Sequence, residues 1–154
     1  MTLHRLGRGE AWVAAQLILF VLFGLAPHVG PAWPMPIAFQ SVGTVFTLAG
    51  LAVLGHSALK LGSSLTPFPK PLPTAKLVTT GVYRLVRHPI YSGILLVAVG
   101  IALFTMSPLR MLLVLMMALF FDRKANREEA WLIERYSGYR EYRALTKKFI
   151  PWVY

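Results

Sequence analysis

Arg87, His88 and Tyr91 fall within one short run, RLVRHPIYSG at positions 84–93, where a basic, proline-punctuated stretch meets an apolar one. Glu128 and Glu129 form an adjacent acidic pair further along, and five of the six acidic residues lie between positions 122 and 141. Pro89 suits the first position of a helix and holds His88 out of the helical region. A helix opening there offers free N–H groups and a partial positive charge, which Arg87 and His88 reinforce, to a carboxylate or phosphate. Glutamates and tyrosines facing it would suit a cation, by charge and by cation–π contact. A cleft with both ends fits a zwitterionic ligand. Each cluster also has a plainer reading. The basic residues would serve as flanks of a membrane helix, and the acidic pair as a solvated helix face balanced by Lys124 and Arg127.

The elements that must position these groups are apolar. Residues 11–26 (AWVAAQLILFVLFGLA) are apolar except for Gln16, and Pro27 directly after them favours a retained helix over a cleaved signal peptide. Residues 37–59 predict a second span, with Gly43, Thr47, Gly50 and Gly55 as small faces for close packing. His56 and Gln40 are its polar members. Residues 60–88 form a loop whose proline-rich part, LTPFPKPLPT, opposes regular helix. Residues 90–104 and 109–121 predict a third and a fourth apolar helix, joined as a short hairpin with Ser107 as the cap, the fourth continuing past the apolar run. In the tail, 122–154, Trp131, Leu132, Tyr136, Tyr139 and Tyr142 recur at helical spacing, with Gly138 a candidate break and Pro151 an end.

Composition agrees with a membrane setting. Of the 154 residues 56% are hydrophobic and only 14% charged, and mean hydropathy is +0.57. The net charge of +10 does not form the stripe that nucleic acid requires; it clusters between apolar runs. With four spans, fifteen of the sixteen basic residues fall on one side and Arg110 alone on the other. The expected architecture is an all-α integral membrane bundle of about four transmembrane helices plus cytoplasmic C-terminal helices. It is a multi-pass protein of the plasma (inner) membrane, with both termini and the site cytoplasmic. Residues 1–154 form one membrane domain: two spans over 1–60 and a core over 79–151. There is no cysteine, so disulfides and thiolate metal sites are excluded, and no metal is expected.

The stretch TTGVYRLVRHPIYSGILLVAVGIAL, followed by REEAWLIERYSGYREYRALTKKFIPW, resembles the isoprenylcysteine carboxyl methyltransferase family and the related membrane phospholipid methyltransferases. The ordered elements are G-x-Y-x-x-x-R-H-P-x-Y-x-G, a helical hairpin, E-E-x-x-L, and a Y-x-x-Y segment closing on proline. The likeness covers residues 79–151. It implies an S-adenosyl-L-methionine-dependent methyltransferase whose donor binds on the cytoplasmic side between the Arg-His-Pro loop and the acidic segment. Carried over by position, His88, Tyr91 and Gly93 contact the donor, with Tyr83 and Arg87 beside it. Glu128 and Glu129 meet its ammonium or ribose or orient the site, and Tyr139, Tyr142 and Arg143 line or close the pocket. No G-x-G-x-x-G or Rossmann pattern is present.

The acceptor implied is lipophilic or lipid-like, drawn from among membrane lipids, with the oligomeric state left open. A carboxylate acceptor would be oriented by Arg127 or Arg143. An amine would need a base, for which Glu128 or Glu129 would carry a raised pKa. Two other readings stand beside this one: an NADPH-dependent membrane reductase of the sterol-reductase type, and a non-catalytic membrane protein or small transporter. Against the transporter, mid-span positions are nearly all apolar.

Overall fold

The computed structural model describes residues 7, 9–27, 30–31 and 33–154. Arg5 and Arg8, counted above toward the cytoplasmic charge, lie outside the described residues. Among those described the chain forms five α-helices and no sheet: α1 (Glu10–Leu25), α2 (Pro36–Leu61), α3 (Pro89–Phe104), α4 (Pro108–Arg135) and α5 (Tyr139–Leu145). Short 3-10 turns at Gly62–Ser64 and Gly81–Arg84 interrupt the long loop.

Helices α2, α3 and α4 each open on a proline, whose missing N–H costs nothing in the first turn. The Ser107 hydroxyl accepts from the Arg110 amide at 3.3 Å, the cap the sequence predicts. Helix α4 passes without a break from its apolar to its polar half, so Lys124, Glu128 and Glu129 stand on a rigid extension of a core helix. It stops at Arg135, and α5 restarts after Gly138.

The closest helix pair is α2 with α3, and glycine is the reason. Gly43 lies against Gly100, and Gly50 against Gly93, so the two helices run antiparallel. A Cβ at Gly43 would lie 2.6 Å from the Gly100 carbonyl oxygen, and one at Gly50 2.7 Å from the Val97 nitrogen. Gly93 serves the same contact: a Cβ there would meet Leu54 at 2.7 Å. Hydroxyls at this interface are turned back onto their own helix. Thr47 donates to the Gly43 carbonyl at 2.9 Å and Ser57 to the Val53 carbonyl at 2.5 Å. On the other side of α3 lie α4 and α1, and there Ala98, Ala102, Met117 and Phe121 form a fully covered core.

Elsewhere the apolar side chains face outward. Leu17 and Ile18 of α1, Val45, Leu48 and Leu51 of α2, and Leu112, Leu115 and Leu119 of α4 are exposed. Among the described residues, length and composition together bear out one of the four expected spans. Pro36–Ser64 is long and apolar enough to cross a membrane by length and composition. Helices α1 and α3, each 16 residues, are apolar but shorter. At about 1.5 Å per residue each reaches about 24 Å, under the roughly 30 Å of a hydrocarbon core. Helix α4 is long enough, but Asp122, Arg123 and Lys124 end its apolar run.

Candidate active site

The tail folds back over the Arg-His-Pro loop. The Arg87 amide donates to the Lys147 carbonyl at 2.8 Å and the His88 amide to that of Lys148 at 3.1 Å, around an isolated Val86–Lys147 bridge. The Ser92 hydroxyl donates to the Phe149 carbonyl at 2.7 Å. Lys148 Nζ reaches Asp122 at 2.5 Å and Asn126 at 2.8 Å on α4. The segment after α5 thus ties the start of α3 to the polar half of α4.

Glu129 is the centre of that junction, at 2% exposure. Its Oε1 accepts from Arg87 Nε at 2.8 Å and faces His88 Nε2 at 3.0 Å. Arg143 Nε stands 3.1 Å from Oε2 but is not aligned to bond it. Burial opposes the charge on Glu129, yet the hydrogen bonds and charges of His88 and Arg87 outweigh it and lower the carboxyl to about 2. That is the reverse of the raised value expected of a base, and it corrects that expectation for Glu129. Arg87 is consumed as well: its Nη1 donates to the carbonyls of Arg143 and Thr146. The neighbouring phenols are shifted up by burial, Tyr142 to about 12 and Tyr83 and Tyr139 further, so they remain protonated, the buried Tyr139 hydroxyl without a hydrogen-bond partner among the described residues. Tyr142 donates to the Tyr83 carbonyl at 2.5 Å.

Beside this locked junction is a cavity of about 330 Å³, at the lower end of ordinary ligand sites. His88, Tyr91 and Glu128 line it. The Tyr91 hydroxyl donates to Glu128 Oε2 at 2.8 Å, and His88 Nδ1 lies 3.9 Å from the same oxygen. His88 therefore stands between the two glutamates. Its ring stacks on Tyr91 at 5.5 Å and 7°, and Tyr91 stacks on Phe121 at 4.8 Å. Ile90 and Ile94 of α3 and Lys124 of α4 add to the wall, and the rest comes from elements that carry no motif: Gln16 of α1, Leu61 of α2, and Leu65, Thr66 and Pro67 of the loop.

The geometry divides the residues the sequence singles out. His88, Tyr91 and Glu128 face the cavity. Arg87, Glu129 and Arg143 form the ionic lock behind it, with Tyr139 buried there and Tyr83 joined to Tyr142. Gly93 packs on α2. Arg127 is on the surface, its guanidinium 4.6 Å over the Trp131 ring. Lys124, four residues before Glu128 and therefore on the same helix face, lines the cavity and is 1% exposed. Its Nζ donates to Gln16 Oε1 at 2.5 Å and to the Pro67 carbonyl at 2.9 Å. Burial pulls its ammonium down to about 8, with the Glu128 charge opposing. The sequence signals for these two missed residues were the single polar side chain in the first apolar run and the Lys-Glu spacing on α4. Among the described residues no group of three or more His, Asp and Glu is placed to hold a metal ion.

An apolar helical chain that gathers an arginine–histidine loop against a glutamate pair at its polar end is of the methyltransferase class the sequence resembles, and comparison bears this out. The family model described as Phospholipid methyltransferase matches residues 36–138, and the chain belongs to that family. More particularly, it is 30% identical over 150 residues to a probable protein-S-isoprenylcysteine O-methyltransferase of Oryza sativa subsp. indica, across 92% of this chain and 78% of that one. A protein-S-isoprenylcysteine O-methyltransferase of Saccharomyces cerevisiae is 37% identical over 79 residues, across 50% of this chain and 33% of that one.

Proposed function

We propose that the chain is an integral membrane methyltransferase. It uses S-adenosyl-L-methionine as donor and methylates a lipophilic acceptor, a carboxylate or an amine, at the cytoplasmic membrane face. The observation that carries this reading is the cavity itself: acid, aromatic and ammonium groups stand together in a pocket at the polar end of a bundle whose helices expose large apolar side chains such as Leu17, Val45 and Leu119. The residues suit the donor, whose sulfonium favours the aromatic faces of Tyr91 and His88 and the charge of Glu128. Bound there, the donor supplies a methyl group already activated for in-line displacement.

The protein's contribution is positioning and exclusion of water. Tyr91 and His88 fix the Glu128 carboxylate, and the lock around Glu129 fixes His88. The donor core assigned to 79–151 needs the N-terminal half as well, because Gln16 and the 61–67 segment close the cavity. For the acceptor, an apolar groove of about 770 Å³ runs between Leu95 and Val99 of α3 and Leu115 and Leu119 of α4. Phe149 in its wall touches Tyr91 and His88 at ring separations of 6.4 and 5.9 Å.

Calorimetry on the detergent-purified chain is expected to give saturable binding of S-adenosylhomocysteine and none of NADPH. The opposite result would establish the reductase reading, and binding of neither would favour a non-catalytic role. Mass spectrometry of prenylated and phospholipid compounds incubated with labelled donor then identifies the acceptor.

The multi-pass arrangement in the plasma (inner) membrane has its own test, made clean by the absence of native cysteine. Cysteines placed at Lys70 and Tyr154 are expected to react with an impermeant maleimide only from the cytoplasmic face, and one at Gly30 only from the other. Labelling of Lys70→Cys and Gly30→Cys from the same side would overturn that topology.

A further inference from the structure

Arg87 and His88 were the sequence's candidates for holding an anion, and both are spent inside the fold: Arg87 on Glu129 and two backbone carbonyls, His88 on Glu129. The cavity is nevertheless not without a cation. Lys124 is the one lysine or arginine among its described lining residues. It is almost completely buried, and no ion pair found among the described residues includes it. Its partners, Gln16 Oε1 and the Pro67 carbonyl, are neutral oxygens that use two of three N–H groups. A buried ammonium that touches no carboxylate is costly; the Tyr91 ring 5.6 Å from Nζ and the Glu128 charge acting through space offset part of that cost, and the N–H left over at the cavity wall suits an anionic ligand group.

Glu128 lies one helical turn further along the same face of α4, and its carboxylate lines the same cavity. Residues four apart on a helix stand about 5–6 Å apart at Cβ. Opposite charges at that spacing match a head group that carries its ammonium and its carboxylate on one carbon. We infer that Lys124 and Glu128 together read the α-amino-acid end of the donor, Lys124 taking the carboxylate and Glu128 the ammonium. This rests on the donor reading above and assigns the anion-binding role to a residue outside the Arg-His-Pro motif.

The test is calorimetry with three probes: S-adenosylhomocysteine, its decarboxylated analogue, and 5′-methylthioadenosine, which lacks the amino-acid end. The wild-type chain is expected to prefer S-adenosylhomocysteine to the decarboxylated analogue by about 10- to 100-fold, the range of a charged hydrogen bond. Lys124→Met is expected to erase that preference and leave methylthioadenosine binding unchanged, and Lys124→Arg to keep most of it. A wild-type chain that does not discriminate the first two probes overturns the inference without needing any variant. So does a Lys124→Met variant that loses affinity for all three equally, since the lysine would then be only a tie between α1 and α4. If Lys124→Met leaves donor affinity intact but raises the KM for N-acetyl-S-farnesylcysteine, the carboxylate recognised is the acceptor's and the donor assignment falls. Failure of the wild-type chain to bind any adenosine probe sinks the donor reading itself, a result distinct from the others.

Discussion

Glu129→Gln is expected to lower kcat/KM by about 100-fold, the scale of a displacement of about 1 Å at a reacting centre, and to destabilise the fold by about 3 kcal/mol. The two losses share a cause. The carboxylate holds Arg87, faces His88 and stands beside Arg143, with Arg87 and His88 themselves largely buried. An amide can accept one of these bonds but presents N–H groups to a second cation. The cost stays near the low end for a broken buried pair because Arg87 keeps its backbone carbonyl partners. Glu129 acts through His88, so it is a positioning residue, and a comparison separates this from a purely structural role. Glu128→Gln, at a carboxylate 27% exposed and bonded to Tyr91, is expected to weaken donor binding with little change in melting. Acid should reveal the same lock. The Glu129 carboxyl titrates at about 2 in the folded chain against 4.5 for a free glutamate. Its contribution is complete above pH 4.5 and is lost as pH falls through about 2. Acid melting over that window should therefore be shallower in Glu129→Gln. A variant that melts as wild type in detergent, with wild-type turnover, would refute the assignment.

Gly100→Leu is expected to prevent assembly of the bundle. A Cβ at Gly100 would fall on Thr47 Oγ1, 2.5 Å from the Thr47 nitrogen and 2.6 Å from the Gly43 carbonyl oxygen. Backbone atoms cannot move aside as a flexible side chain can, so α2 and α3 would have to separate along their closest contact. Overpacking typically costs about 1–3 kcal/mol, and a rigid backbone obstacle places this change above that range. Gly55→Ala is the matched control on α2, since nothing lies within 4 Å of a Cβ there. It should be tolerated and stabilise by about 0.5–1 kcal/mol through helix propensity. Size-exclusion profiles and thermal melts in detergent distinguish the two. A monodisperse Gly100→Leu with wild-type melting would show that α2 and α3 are not closely packed.

The glycine pairing shows how differently two kinds of information were legible. Gly43, Gly50 and Thr47 stand out in the sequence as a small face, because packing without bulk leaves a direct mark on composition. Their partners Gly93 and Gly100 lie in a second apolar run, and no local feature says which glycines meet. Gly93 enters the donor motif by resemblance, and the fold adds that a Cβ there would meet Leu54 and the Gly50 carbonyl of α2. The same holds for the arginine. Charge type alone suggests that Arg87 awaits an anion, and only the fold shows that the anion is Glu129.

By itself the sequence determined the helices, their starts at proline, the Ser107 cap, the break at Gly138, and the convergence of the Arg-His-Pro and Glu-Glu clusters. Those features follow from backbone chemistry at individual positions and from the resemblance in the ordered motifs. Tertiary structure alone decided which charges neutralise each other and which remain to meet a ligand. It locked Arg87 and Glu129 together, left Lys124 and Glu128 on the cavity wall, and brought Gln16 and the 61–67 loop in to close it. The physical reason is that a buried charge is defined by its neighbours across the fold, and the interval along the chain between Gln16 and Lys124 carries no trace of the 2.5 Å between them.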